Sequence, residues 1–144
     1  MPEIHEKRMR IYCCACQKRV KARLTDGFEV YPHREDLALL PFWKCDACGN
    51  FVGCHHKTQD RTKPVGVIAT PEIKRMRMAI HGVIDPLWKQ KLIKRPKLYA
   101  MLAKALGKKE YHTADIRSLE EAKKVFGLAK KLEKEIRLDS KEIV

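Results

Sequence analysis

KCDACGNFVGCHH, residues 44–56, decides how this chain is read, because it places Cys45, Cys48, Cys54, His55 and His56 in one short span. Zinc takes four ligands in a tetrahedron, with sulfur at about 2.3 Å. Cys45-x2-Cys48 supplies two of them. The same spacing recurs upstream as Cys13-x2-Cys16. Two residues between cysteines let both thiolates reach one ion from a tight turn, and two such knuckles close a four-thiolate shell. Residues 17–44 separate the knuckles, more than the ~15–20 of the shortest zinc signatures. That interval suits a zinc ribbon, in which a hairpin and a loop join the knuckles. The spacing predicts a structural zinc at Cys13, Cys16, Cys45 and Cys48. A redox CxxC is expected as one motif near a βαβ unit rather than as two in a β-rich stretch. Cys14 lies inside the first knuckle, too close to Cys16 for the same turn, and is left spare.

Cys54, His55 and His56 fall outside that count. Spacing leaves three roles open: substitution for a ligand, a second site with His33, His81 or His112, or a buried small hydrophobe at Cys54 with a histidine packed at a domain junction.

Around the knuckles, the chain reads as short strands and turns. Val20, Ala22 and Leu24 alternate with Arg19, Lys21 and Arg23, a period of two. Asp26-Gly27 is a hairpin signal, with Phe28, Val30 and Tyr31 predicted as the return strand. Phe42-Trp43 and Phe51-Val52 mark further strands. So small a sheet buries little and benefits from a metal staple. Residues 57–69, with Pro64 and Gly66, read as a linker whose Val65, Val67 and Ile68 are able to dock on a neighbour. Thr70-Pro71-Glu72 starts a helix, and Asp85-Pro86 is expected to end or kink it. Pro96 opens another helix, with Gly107 as its cap. Ser118 and Glu121 have capping-box spacing before an amphipathic stripe of Ala122, Val125, Phe126, Ala129, Leu132 and Ile136. The predicted class is α+β: a zinc ribbon over residues 11–56 packed against a basic helical region over 70–138.

The chain has 144 residues, with 34% charged and 44% hydrophobic, an ordinary globular balance. No apolar run approaches the ~20 residues of a membrane helix, and the N-terminus lacks a signal-peptide core. A cytoplasmic protein is the default expectation, and six cysteines there favour metal ligation over disulfides. The net charge is +13, which favours an anionic partner such as DNA or RNA. Residues 70–110 hold 11 Lys/Arg against 3 Asp/Glu. Lys74, Arg75, Arg77, Lys89, Lys91, Lys94, Arg95 and Lys97 are the predicted phosphate contacts. The helix starts at Thr70 and Pro96 and the ribbon residues Lys18, Arg19, Lys21 and Arg23 would extend the footprint.

The order of these motifs resembles a zinc-finger-containing domain family of unknown function that occurs largely in phages, prophages and mobile elements. The residues that carry the resemblance are the four knuckle cysteines, Phe51-Val52-Gly53-Cys54-His55, Pro64, Gly66, Arg75, Arg77, His81, Asp85, Leu87, Trp88, Tyr99, Leu102, Leu106, Gly107 and His112. It spans roughly residues 12–130. The chain departs from the pattern at the added His56 and at the interrupted Ala79-Ile80-His81. The resemblance implies a zinc-bearing, phage-type protein and supplies no activity.

Three functions follow as expectations. The first is a zinc-stabilised nucleic-acid-binding protein. The second is a module that docks on a host protein, since zinc ribbons serve both ends. The third, and weaker, is a metal-dependent nuclease built on His55, His81, Asp85 and His112, with His81 and Asp85 on one helical face if that helix is continuous.

Overall fold

The computed structural model describes residues 7–142; the leader-free reading of the N-terminus falls partly on residues 1–6, outside them. The chain divides between Pro71 and Glu72 into two units. Its class is α+β: a four-stranded antiparallel sheet, then helices.

In the first unit, β1 (Arg8–Cys13), β2 (Lys18–Asp26), β3 (Pro41–Lys44) and β4 (Phe51–Gly53) pair in chain order, each antiparallel to the next. Cys13 faces Lys18 across the first pair, Arg23 faces Lys44 across the second, and Lys44 faces Phe51 across the third. One knuckle joins β1 to β2 and the other joins β3 to β4. Because β2 and β3 are antiparallel, the turn before β2 and the turn after β3 point the same way along the sheet. That topology carries the two cysteine pairs toward each other.

The period of two sorts the strands by face. Ile11, Ala22, Trp43, Val52 and Cys54 form the buried cluster, with Cys13, Cys45 and Ile68. The neighbour of Trp43, Phe42, points the other way and meets Tyr31 and Phe51 edge-to-face, with ring centroids 5.6 and 5.7 Å away. Residues 57–69 return along the sheet. Cys54 bridges Pro64, Val65 N–H donates to the Gly53 carbonyl, and Trp43 Nε1 donates to the Thr62 carbonyl at 2.7 Å. Ile68 then bridges Cys13 and is fully buried.

The structure corrects the expected hairpin at Asp26-Gly27. Residues 27–30 form a short helix, α1 (Gly27–Val30), and the return strand comes only at Pro41 after a 3-10 turn at Glu35–Leu37. Asp-Gly also suits a helix start. Asp26 accepts the Glu29 N–H as an N-cap. Gly27 is needed for close approach, since a Cβ there would collide with the Leu37 carbonyl.

Helix α2 (Pro71–Lys89) starts at the boundary, and the second unit holds the rest of it with α3 (Arg95–Ala105) and α4 (Leu119–Glu142). The helix expected to break at Asp85-Pro86 runs on to Lys89. Ile80, Ile84 and Leu87 are all fully buried on both sides of Pro86. Burial of one continuous stripe sustains a helix beyond local propensity. Pro96 sits in the first turn of α3, and Gly107 beyond its end has φ +68°. Ser118 Oγ accepts the Glu121 N–H, and Ala122, Val125 and Ala129 are fully buried along α4. Among the described residues, no helix is long and apolar enough to cross a membrane.

Candidate metal centre

The two knuckles share one backbone plan. Gln17 N–H donates to the Cys13 carbonyl at 2.8 Å, and Gly49 N–H donates to the Cys45 carbonyl at 2.7 Å. Both donors have positive φ, 56° at Gln17 and 81° at Gly49. The reversal turns the N–H groups of Ala15 and Cys16 toward the Cys13 sulfur, and those of Ala47 and Cys48 toward the Cys45 sulfur. Such donors favour a thiolate over a thiol.

The four sulfurs lie within 4.8 Å of one another. Cys13 Sγ is 3.5 Å from Cys48 Sγ, and Cys16 Sγ is 3.7 Å from Cys45 Sγ. A tetrahedron with sulfur at the zinc bond length has edges of about 3.8 Å. The donor set and its spacing therefore fit zinc. Burial pushes the Cys13 thiol up to about 12 despite its N–H donors. At Cys45 burial opposes the shift, but the N–H groups of Cys48 and Ala47, together with the Cys48 and Cys16 side chains, hold the thiol below its ordinary value. Binding the ion expels the protons and makes its affinity part of the stability of the sheet.

A charged network braces the second knuckle. Arg23 Nε and Nη2 bond both carboxylate oxygens of Asp46, which stands between Cys45 and Cys48, at 3.1 and 2.9 Å. The same guanidinium holds both oxygens of Glu29 at 3.0 and 2.8 Å, and Lys44 joins Glu29 at 2.8 Å. Arg23 thus ties β2 to α1 and to the knuckle, rather than standing free on the surface. The sequence signal for this was the acid inside the knuckle.

A family model described as a zinc-finger-containing domain matches residues 9–132. The chain belongs to that family. Its zinc finger is the four-cysteine site, and the matched span takes in both units. No curated protein and no solved structure proved similar to the chain.

The other cysteines and histidines stand apart from this centre. Cys54 is buried among Ile11, Trp43 and Val52, and burial, with Asp60, lifts its thiol to about 11. It has the environment of a small core hydrophobe. His55 is exposed, its backbone bonded to Lys63 and Thr58. His56 Nδ1 reaches the Cys54 carbonyl at 3.3 Å. Cys14 is buried, its N–H given to the Ile68 carbonyl. His33 is exposed, and His112 meets Glu110 at 3.2 Å on the surface. His81 and Asp85 do share a face of α2, 3.2 Å apart, and Trp88 Nε1 donates to Asp85 Oδ1 at 3.1 Å. Among the described residues, the only group of three or more metal-ligating side chains is the four cysteines.

The expected phosphate contacts separate into two sets. Arg77 turns inward and donates to the Ile116 carbonyl at 2.6 Å, ahead of α4. Lys74 is largely buried, which, with Arg77 nearby, lowers its pKa. Arg75 is exposed beside Glu72. In contrast, Lys89, Lys91, Lys94, Arg95 and Lys97 are all exposed at the end of α2, the turn after it and the start of α3. No carboxylate of the described residues pairs with any of these five.

Proposed function

We propose that the chain binds nucleic acid through this basic turn, with the zinc holding the ribbon rather than doing chemistry. The observation that carries the proposal is the run of five exposed, unpaired cations between Lys89 and Lys97. Cations without carboxylate partners neutralise phosphates and release counterions, which gives affinity with little sequence information. A phage-type setting in a bacterial cytoplasm, where nucleic acid is abundant, is part of the same proposal. A salt titration tests it. Affinity for DNA or RNA should fall linearly on a log–log scale, and each of Lys94→Glu and Lys97→Glu should flatten the slope by about one. Undetectable binding at low salt sinks the proposal.

A second function, docking on a host protein, is favoured by one observation. Phe28 and Leu39 protrude from the excursion between β2 and β3 with 76% and 91% of their surfaces exposed. Exposed apolar side chains grouped in one excursion suit a protein partner. Capture of a host protein that survives nuclease treatment and is lost on Phe28→Ser supports docking; capture abolished by nuclease contradicts it.

A further inference from the structure

The basic turn is a concavity as well as a charged surface. Trp88, Lys91, Leu92, Ile93, Lys94 and Lys97 line a hollow of about 670 Å³. Its lining has three lysines, one large aromatic ring and no acid. The turn that shapes it is set by Lys91, whose φ is +61°.

The ring is held in place. Asp85 accepts the indole N–H from one turn back on the same helix, and Asp85 also meets His81. Two cations flank it: Lys89 Nζ and the Arg95 guanidinium each lie 5.5 Å from the ring centroid. Arg95 also covers Tyr99 at 4.9 Å.

We infer that this hollow takes an unpaired nucleotide, with its base stacked on Trp88 and the phosphates on either side held by Lys91, Lys94 and Lys97. Charge complementarity selects a polyanion, and the aromatic wall selects one with an accessible π-face. A duplex buries its base faces in the stack and presents only phosphates to such a site. Single strands offer both, and base–aromatic stacking tolerates any sequence. Asp85 acts here as a positioning residue for the indole. The inference rests on the nucleic-acid proposal above and narrows it to single strands.

The test measures binding of the full zinc-loaded chain to labelled oligothymidylate, oligouridylate and a duplex of equal length. Wild type should prefer at least one of the single strands. Trp88→Ala should weaken that strand roughly ten-fold and leave the duplex within about two-fold, while Trp88→Phe stays near wild type. A wild type that prefers the duplex, or a Trp88→Ala that weakens all three alike, overturns the single-strand assignment and leaves phosphate binding standing. Binding to none of the three removes the broader proposal as well. Should Trp88→Ala fail to fold, wild-type fluorescence decides. Trp43 is 1% exposed and supplies a background that an added strand does not reach, so saturation with the preferred single strand should quench a substantial part of the emission. Unchanged emission at saturation overturns the assignment.

Discussion

Gln17 and Gly49 occupy equivalent places in the two halves of the zinc centre. Each follows the second cysteine of its knuckle, each has positive φ, and each closes the turn with an N–H bond to the first cysteine's carbonyl. One half uses the residue that tolerates this backbone, and the other does not. Positive φ costs an L-residue roughly 1–2 kcal/mol that glycine escapes. Space around Gly49 is open, so the cost of a side chain there is one of backbone alone. Gly49→Ala should therefore destabilise the zinc-loaded protein by about 1 kcal/mol. Gln17→Gly should stabilise it by less, since glycine also loosens the unfolded chain. Thermal unfolding checks both. An unchanged melting temperature in both variants would deny the shared geometry.

The Arg23 network gives the ribbon a pH dependence of known sign. Hydrogen bonds from Arg23 first, then Lys44 and Thr25, hold the Glu29 carboxyl well below the usual carboxylate range. A carboxylate with a depressed folded pKa contributes stability above its unfolded value, near 4.3, and loses it as pH falls further. The gap between wild type and Glu29→Gln should be widest at pH 6–7 and narrow below about pH 4. Chemical denaturation across that range measures it. A gap that widens in acid contradicts the network.

Arg77 and Lys94 should separate folding from binding. Arg77 donates a charge-assisted bond to the Ile116 carbonyl, so Arg77→Ala should cost about 2 kcal/mol of stability. Lys94 is exposed and unpaired, so Lys94→Glu should leave the melting temperature within error while weakening nucleic-acid binding. Melting curves and binding isotherms on both variants check the pair. A stable Arg77→Ala that binds poorly would return Arg77 to the interface.

The metal centre was legible in the sequence because ligand spacing is local: two residues between cysteines dictate a knuckle whatever surrounds it. Strand β2 was legible because Val20, Ala22 and Leu24 alternate with Arg19, Lys21 and Arg23, and the strands at Phe42-Trp43 and Phe51-Val52 because aromatic and β-branched residues flank the second knuckle. Asp26-Gly27 misled because the same dipeptide serves a tight hairpin and a helix N-cap, and only the Leu37 carbonyl beside Gly27 decides between them. Pro86 misled because its local penalty is visible, whereas the buried stripe that outweighs it is tertiary. Arg77 and Lys97 are both basic residues in sequence; burial alone turns one inward and leaves the other at the surface. The place of Trp88 in the wall of the basic hollow was not legible, because an aromatic residue near a helix end carries no local sign of the cations the next turn brings beside it.

Native mass spectrometry of the zinc-loaded chain and its variants tests the central claim most directly. The geometry predicts one zinc per chain, retained in Cys54→Ala and His55→Ala, and lost in Cys13→Ser and Cys48→Ser. Two zinc ions per chain, or loss of the single ion on Cys54→Ala, would contradict a closed four-cysteine centre.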